Sequence, residues 1–442
     1  MNHPTRTVQD TDTTDPSGRI LTVTCSKPAT GGTFVARHEG RVVFVRGSAP
    51  AETVHARVLE DDPSARFWRA ETIEVLDPGP DRVPSIWPEA GTDGVGGADW
   101  AHLSLHAQRR IATEVLVELL ERAKVTSFPL EDVQVEPAPG DFDGLDWRTR
   151  VRYAVGDDGS IGMRPWRSHE VRPVGDDPLV VPAIRALRLP KWTAPAGVTA
   201  IDAIGASDGS AAVVLVGDAI DAAGVEIPEH WGDAAVSVHD RTGLRSLRGD
   251  ATVRERVGDD TFVVSQSGFW QSHAKAPALL VEVVEQGLGA QPGETVWDLY
   301  GGVGLFSRSA ARAVGADGTV VSVEGSGRAS ALAAQNLADL PQARAEEGDC
   351  LGWVRAELGR RGASVDRVVL DPPRAGAGAE LMGALCGAVR TRIVYVSCEP
   401  STLARDLRTA EDAGWRIADL RAFDLFPHTH HIETVVVLDP PA

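Results

Sequence analysis

The sequence predicts an α/β protein whose C-terminal part is a doubly wound, mostly parallel Rossmann-like sheet, preceded by a small β-barrel and an α+β central domain. Three observations support this fold class. Strands alternate with helices after about residue 261, short strand-like runs dominate residues 19–77, and an amphipathic helix followed by strands fills the region between. Alternating strands and helices are typical of parallel sheets with crossover connections.

The N-terminal part divides into three predicted segments. Residues 1–18 are polar and predict a disordered tail. Between 19 and 77, runs such as ILTVTC, RVVFVRG and TVHARVLE are separated by Gly, Pro and Asp, which predicts a barrel of about five strands. The Pro-rich stretch over 78–99 predicts a linker.

Residues 100–261 predict the central α+β domain. Leu105, Ile111 and Leu119 follow helical spacing, and WRTRVRYAV and AAVVLVGD read as strands. The range 147–172 holds six arginines and three acids interleaved with aromatic residues. Such a pattern can bind phosphates and stack on unpaired bases, or form the solvated face of a sheet; both interpretations stay open.

The sequence over residues 262–442 predicts the catalytic domain. The apolar segments TVWDL, TVVSVE, DRVVLD, RIVYVS and TVVVL are separated by helical segments such as STLARDLRTAEDAG. This alternation predicts βαβ units, in which ligands bind at the carboxyl ends of the strands.

Composition restricts the class of protein. The chain has 44 Lys+Arg and 63 Asp+Glu, a net charge of −19, which by itself argues against a nucleic-acid partner. No apolar run has the roughly 18 residues of a membrane span, so we expect a cytoplasmic protein with no membrane partner. Four cysteines without a CxxC pair argue against a disulfide framework or a metal site built on paired cysteines.

A glycine-rich loop follows the first strand of the predicted sheet. Asp298 opens the loop, glycines allow close backbone approach to a ligand, and Glu324 ends the second strand, where an acid binds ribose hydroxyls. Asp349 follows the third strand. Asp298 would repel a pyrophosphate and Ser307 leaves the dinucleotide fingerprint incomplete, so S-adenosylmethionine (SAM) is favoured over NAD.

Candidate catalytic residues follow the later strands. Asp371 opens a loop made rigid by two prolines, and Cys398 precedes a predicted helix from Ser401. A thiol near a helix N-terminus has a lowered pKa and is a competent nucleophile, although most such cysteines are buried apolar residues. Glu433 starts the last strand. The three histidines of FPHTHHIE favour hydrogen bonding or RNA contact over metal ligation.

These motifs resemble a known family. The segments DLYGGVGLFS, VVSVEGSGRASALAAQNL, LDPPRAGAG, YVSCEPSTLARDL and FPHTHHIETV are similar to the RNA uracil-C5 methyltransferases, which act on tRNA or 23S rRNA. The range 19–77, with HEGRVVFVRGSAPAETVHARVLE, resembles the TRAM domain, an RNA-binding barrel.

The resemblance implies SAM-dependent methylation of uracil C5 in rRNA or tRNA, giving 5-methyluridine through a covalent adduct. It implies Cys398 as the nucleophile and Glu433 as the general base. The implied cofactor-binding residues are Gln271, Tyr300, Glu324, Asp349 and Asp371. The implied partner is the RNA substrate, and we expect a monomer without an obligate protein partner.

The sequence departs from the family pattern at several positions. Many members bind an iron–sulfur cluster through four cysteines, but residues 94–100 hold none here, so we expect no cluster. Glu399 and His273 replace asparagines, and like-charge repulsion from Glu399 would raise the pKa of Cys398.

Two alternative functions remain. Methylation of cytosine C5 usually requires a second cysteine beside the paired prolines, which is absent. An RNA-binding or RNA-folding factor on the same scaffold would not need Cys398 and Glu433.

The acidic total restricts where RNA can bind. Residues 19–77 hold eight basic and eight acidic residues, so the charge of −19 lies elsewhere. We expect RNA contacts on this neutral region and on 147–172, with Arg150, Arg152, Arg164 and Arg167 contributing most.

Overall fold

The computed structural model describes residues 13–15, 18–60, 62, 64–92, 94–360 and 364–441. Most of the predicted tail therefore lies outside the described residues. The chain divides into two compact units. Unit 1 comprises Met1–Val115, Arg164–Arg172 and Pro427–His430, and unit 2 comprises Leu116–Met163, Pro173–Phe426 and His431–Ala442.

Unit 1 is built on a seven-stranded sheet. Its strands are β1 (Thr13–Asp15), β2 (Gly18–Thr24), β3 (Lys27–Ala29), β4 (Thr33–His38), β5 (Arg41–Arg46), β6 (Thr53–Val58) and β7 (Phe67–Asp77). They pair in the order β1-β2-β6-β7-β5-β4-β3, with β5 and β7 parallel. Five of these seven strands have six or more residues, and the sequence predicted about five strands over 19–77. Buried and more exposed residues alternate along β4 and β6, as expected for strands with one face on a core.

The segment 78–99 is not an exposed linker. Trp87 and Val95 are buried, and the Arg82 Nη2 donates to Glu52 Oε2 at 2.7 Å and to the Gly47 carbonyl at 2.8 Å. Prolines keep this segment out of a strand ladder, but its large apolar side chains and its arginine still pack into unit 1.

The helix α1 (Leu105–Arg122) begins at Leu105 and buries Ile111 and Leu116, as the predicted spacing requires. Arg164–Arg172, which the sequence placed in the central domain, belongs to unit 1.

Unit 2 contains the central sheet, apart from Arg172 of its edge strand, which belongs to unit 1. Its strands are β9 (Arg150–Val155), β10 (Ile161–Met163), β11 (Arg172–Pro173), β12 (Val198–Gly205), β13 (Ala211–Gly217), β14 (Ala235–Asp240) and β15 (Gly243–Arg248). Their order is β11-β10-β9-β12-β13-β14-β15. A short helix α2 (Pro182–Ala186) precedes β12, and the hairpin of β16 (Thr252–Val257) and β17 (Asp260–Ser265) follows the sheet. This hairpin crosses the boundary that the sequence suggested at 261, and the regions on both sides belong to one compact unit.

The second sheet of unit 2 has eight strands. They are β8 (Val135–Pro137), β18 (Thr295–Leu299), β19 (Thr319–Glu324), β20 (Ala343–Glu347), β21 (Val365–Leu370), β22 (Val389–Ser397), β23 (Arg416–Asp424) and β24 (Glu433–Asp439). The helices are α3 (Ala276–Leu288), α4 (Leu305–Val314), α5 (Gly327–Asn336), α6 (Cys350–Gly359), α7 (Ala379–Ala388) and α8 (Pro400–Asp412). Within the described ranges, every helix is too short or too polar to span a lipid bilayer.

This sheet is mostly parallel, as predicted. The order is β20-β19-β18-β21-β22-β24-β23-β8, and β24 runs antiparallel to both neighbours. Successive strands β18, β19 and β20 extend to one side, whereas β21 and β22 extend to the other. The strand order therefore reverses between β18 and β21, and open α/β sheets bind ligands in the crevice at such a point.

Candidate active site

A cavity of about 790 Å³ lies at this edge of the eight-stranded sheet. The carboxyl ends of β18, β19, β21 and β22 meet there, together with the start of the reversed strand β24. All seven site residues that the sequence predicted line this cavity, namely Gln271, Tyr300, Glu324, Asp349, Asp371, Cys398 and Glu433. The fold thus brings together residues that are up to 162 positions apart in the chain.

The glycine-rich loop after β18 adopts left-handed backbone conformations. The φ angles of Tyr300, Gly302 and Gly304 are 61°, 56° and 90°. Glycine adopts such angles without steric cost, whereas the strained tyrosine is of the kind found at functional sites. The Gly302 amide donates to Glu324 Oε2 at 3.0 Å and the Ser326 amide to Oε1 at 2.7 Å, so the loop orients the Glu324 carboxylate.

Two further carboxylates border the same cavity. Asp349 caps helix α6, accepting from the Gly352 amide at 2.8 Å. Gln271 Nε2 donates to Asp371 Oδ2 at 3.2 Å and thereby orients the acid that follows β21. Carboxylates at the strand ends beside the apolar side chains of Val303 and Leu332 form a site that fits a nucleoside with hydroxyl and amino groups.

The structure corrects the argument from Asp298. Its side chain is fully buried beneath the loop rather than facing the cavity, and Ser307 Oγ donates to Asp298 Oδ2 at 2.5 Å. Burial, with a smaller contribution from the Glu324 carboxylate, raises the pKa of Asp298 to about 7. Asp298 therefore cannot select a sulfonium by direct contact.

The environment of Cys398 also differs from the expectation. Burial raises the pKa of the Cys398 thiol to about 12, with added contributions from Glu433 and Asp371, so the predicted lowering by the helix N-terminus is wrong for the protein without ligands. Desolvation and two nearby acids outweigh the dipole of helix α8. Burial likewise raises the pKa of Glu433 well above its usual range and that of Asp371 to about 7.

Glu399 has a different role from the predicted repulsion. Its carboxylate caps helix α8, accepting from Ser401 Oγ at 2.7 Å and from the Ser401 amide at 3.4 Å. The acids that raise the pKa of Cys398 are Glu433 and Asp371 instead. His273 is buried and stacks on Trp147 with ring centroids 5.7 Å apart; burial lowers its pKa to about 4.

Phe269 was not identified from the sequence as a cavity residue, whereas Phe426 and His431 belong to the segment FPHTHHIE. Phe269 is 71% exposed although it lines the cavity, and Phe426 and His431 line it beside the last strand. His431 Nε2 lies 3.2 Å from Arg374 Nη2. An exposed phenylalanine has no signature in a single sequence, but its place two residues before Gln271 could have indicated it.

The other histidines of FPHTHHIE form hydrogen bonds within unit 1. Gln108 Nε2 lies 3.0 Å from His428 Nδ1, and His430 Nδ1 lies 2.8 Å from Asp99 Oδ2. Among the residues that the structure describes, no group of three or more His, Cys, Asp or Glu is arranged to hold a metal ion. Cys25, Cys350, Cys386 and Cys398 are all free cysteines.

The arginine-rich range 147–172 is split between interior and surface. Trp147 and Tyr153 are buried, and Arg150 is half-buried, with its Nε and Nη2 inaccessible and its Nη1 donating to a main-chain carbonyl, so these three residues are not free surface contacts. Arg152 pairs with Asp202 at 2.6 Å on the surface.

The unit 1 part of this range keeps a surface aromatic residue. The Trp166 side chain is 36% exposed, with the guanidinium carbons of Arg46 and Arg167 each 4.5 Å from its ring centroid. Arg167 also pairs with Glu60 at 2.6 Å.

Comparisons with known proteins identify the family. The family described as tRNA (Uracil-5-)-methyltransferase matches residues 358–440. An uncharacterised RNA methyltransferase of Streptomyces avermitilis is 41% identical over 429 residues, covering 94% of this chain and 96% of that protein. A Streptomyces coelicolor RNA methyltransferase is 42% identical, covering 94% of this chain and 91% of its own length. The chain belongs to the same RNA methyltransferase family as these relatives, and its C-terminal part matches the tRNA (Uracil-5-)-methyltransferase model.

A solved structure shares the fold of this RNA methyltransferase. The Pyrococcus abyssi tRNA (uracil-54, C5)-methyltransferase, in complex with S-adenosyl-L-homocysteine, is 22% identical. It superposes with a TM-score of 0.71, covering 94% of this chain and all of that one. The mixed α/β methyltransferase fold is therefore shared over nearly the whole chain.

Proposed function

We propose that this RNA methyltransferase uses SAM to methylate C5 of a uridine in rRNA or tRNA, forming 5-methyluridine through a covalent adduct with Cys398. The observation that carries the proposal is the meeting of Cys398 and Glu433 in one cavity with the three nucleoside-binding carboxylates. A nucleophile and a base on the wall of a cofactor-sized cavity are what this chemistry requires.

The cofactor residues in this proposal are Gln271, Tyr300, Glu324, Asp349 and Asp371. Glu324 and Asp349 have oxygens fixed by backbone amides, and a ribose and an amino group can donate to such carboxylates. The Pyrococcus abyssi relative holds S-adenosyl-L-homocysteine, the demethylated form of SAM, which supports this choice. When bound, SAM supplies an electrophilic methyl group on a positively charged sulfur.

Cys398 makes C5 nucleophilic. Its thiolate forms a bond to C6 of the uracil, and the electrons of the C5–C6 double bond move into an enolate. The enolate carbon C5 would then take the methyl group, and the electron pair of the broken S–CH3 bond would stay on sulfur to leave a neutral thioether. Because the pKa of Cys398 is raised in the protein without ligands, binding of the substrates must favour loss of the thiol proton. A cation beside the thiolate has this effect, and Arg374 already acts in that direction.

Glu433 completes the reaction. It removes the proton from C5, the electrons re-form the C5–C6 double bond, and the C6–S bond breaks to release the thiolate. Burial raises the pKa of Glu433, so its carboxylate is a stronger base than an exposed glutamate.

The remaining regions would hold the RNA. The target base must be unstacked to admit the thiolate over its ring. We assign RNA binding to the TRAM-like region 19–77 and substrate contacts to 100–261, with catalysis in 262–442, in a monomeric cytoplasmic enzyme. Arg164 and Arg167 beside Trp166 remain the candidate surface contacts.

The decisive experiment incubates the protein with unmodified rRNA and tRNA and labelled SAM, followed by nucleoside analysis. We expect 5-methyluridine with the wild type and none with Cys398→Ala. We expect Glu433→Gln to accumulate a covalent RNA adduct, because the C5 proton is retained. Labelled 5-methylcytidine, or RNA binding without any Cys398-dependent product, would overturn the proposal.

A further inference from the structure

An arginine outside the proposed catalytic set, half-buried with two of its guanidinium nitrogens inaccessible, contacts the cavity wall. Arg150 lies at the start of β9, and its Nη1 donates to the Gly268 carbonyl at 2.8 Å. Gly268 and Phe269 both line the cavity. The contact joins the central sheet to the segment that follows the hairpin β16–β17, within unit 2.

The segment from Gly268 to Ser272 is held to the central sheet at two points. Arg150 binds its first carbonyl, and Thr149 binds its end, where the Thr149 amide and hydroxyl donate to the Ser272 carbonyl at 2.8 and 3.0 Å. Between these points, Phe269 lines the cavity and leaves 71% of its surface exposed. Removal of either contact would free one end of the segment.

The free-energy cost of burying the Arg150 guanidinium is large for a contact with a purely structural role. Its Nε and Nη2 are buried without a hydrogen-bond partner among the described residues. Burial lowers the pKa of Arg150 to about 10, so the guanidinium stays charged at neutral pH. A buried charge with unpaired donors destabilises a fold unless another requirement retains it.

A buried acid compensates the charge without pairing with it. Glu255 on β16 is buried, and its Oε2 accepts from the Ser207 amide at 3.0 Å. The opposite charges of Glu255 and Arg150 each reduce the free-energy cost of burying the other. Among the described residues, the two side chains nevertheless form no ion pair. The guanidinium is therefore free to direct its charge-assisted hydrogen bond at Gly268, which is stronger than a bond from a neutral donor.

We propose that Arg150 is a positioning residue that fixes the Gly268–Phe269 peptide, so that the Phe269 ring is held as a stacking surface for an RNA base at the cavity. This inference rests on the proposed RNA substrate. Arg150 contributes to RNA binding by keeping the Gly268–Phe269 part of the cavity wall ordered. It does not contact an RNA phosphate itself. Because Thr149 anchors the other end, near Gln271, the cofactor side of the cavity stays in place when Arg150 is lost.

The test compares Arg150→Met, Arg150→Lys and the control Arg254→Met, an exposed arginine on the hairpin strand β16. In Arg150→Met we expect the KM for RNA to rise at least tenfold, while the Kd for SAM changes less than twofold. Arg150→Lys, which keeps a charged donor, should recover part of the loss, and Arg254→Met should match the wild type. A purely structural role would raise both constants together or leave both unchanged, and either result overturns the inference.

Hydrogen exchange separates this inference from the proposed function. In the protein without substrates, Arg150→Met should accelerate amide exchange over 266–271 relative to wild type and Arg254→Met, with little change in α3. If the wild type forms no 5-methyluridine but this acceleration occurs, the proposed function fails and the anchoring of the segment stands. If methylation occurs and exchange over 266–271 is unchanged in Arg150→Met, the inference alone fails.

Discussion

At the scale of single residues, the reactivity of Cys398 should report its burial beside two acids. A thiol with a pKa near 12 is almost entirely protonated at pH 8.5, where a free cysteine is about half ionised. Without ligands, we expect iodoacetamide to alkylate Cys398 at least about 100-fold more slowly than free cysteine at this pH. The rate should rise with pH beyond pH 10, followed by mass spectrometry of the Cys398 peptide. A plateau below pH 9 would contradict the raised pKa.

The variant Glu433→Gln tests whether Glu433 contributes to the raised pKa of Cys398. Glu433→Gln removes the acid that raises the pKa of Cys398 most, so it should lower this pKa and accelerate alkylation at pH 9. Cys386, whose pKa is raised by burial alone, should react at the same rate in both proteins and serves as the internal control. Equal rates at Cys398 would show that Glu433 does not act on it.

Asp298 should make the stability of the fold depend on pH. The pKa of this buried acid is raised to about 7 from 3.8, so the folded state binds a proton that the unfolded state lacks between these values. Its ionised form is therefore costly, and stability falls as pH rises from 4 to 7. Three pKa units correspond to about 4 kcal/mol. Asp298→Asn should be more stable than wild type at pH 8 and similar at pH 4, in thermal unfolding without ligands. A variant less stable at pH 8 would refute this origin.

At the scale of elements, the cap of helix α8 gives a separate test. Glu399 accepts from Ser401 and takes the place of a capping Asp or Asn. Glu399→Ala should lower the free energy of unfolding by about 1 kcal/mol, whereas Glu399→Asn should retain most of it. Urea denaturation measures the difference. Neither variant should change the alkylation rate of Cys398, and a faster rate in Glu399→Asn would restore the repulsion inferred from the sequence.

The alternation of strands and helices made the eight-stranded sheet predictable. Successive apolar strands placed Glu324, Asp371 and Cys398 at strand ends, and parallel strands bring their carboxyl ends to one edge. The electrostatics were not predictable in the same way. Whether Asp298 faces a ligand or lies under a loop, and whether Cys398 is desolvated, depends on packing between segments that are distant in sequence.

The sequence also could not predict which residues of the arginine-rich range 147–172 lie on the surface. Alternation along β9 indicates two faces, but not that Arg150 is half-buried with a carbonyl as its partner. The Pro-rich stretch 78–99 has the composition of a linker, and only the burial of Trp87 and Val95 shows that it is part of unit 1. The amino-acid composition of a segment indicates its local flexibility. It does not indicate which other segments it packs against.

At the scale of the whole molecule, many of the arginines are already paired with acids. Arg152 with Asp202, Arg167 with Glu60 and Arg308 with Asp260 are examples from both units. With a net charge of −19, such a chain has few cations available for phosphates. Long-range repulsion should make RNA binding modest, and affinity should depend on a small number of local contacts.

The salt dependence of RNA affinity measures that number. Each phosphate contact contributes about 0.7 to 0.9 to the slope of log K against log salt. Arg164→Glu combined with Arg167→Glu should weaken binding and reduce the magnitude of this slope by about 1 to 2, because both cations flank the exposed Trp166. Charge reversal of Arg241 and Arg245, which pair with Asp218 and Asp240 on the central sheet, is the control with the same change in net charge. Equal loss in both double variants would mean that RNA responds to total charge, whereas loss in the first alone locates the contact beside Trp166.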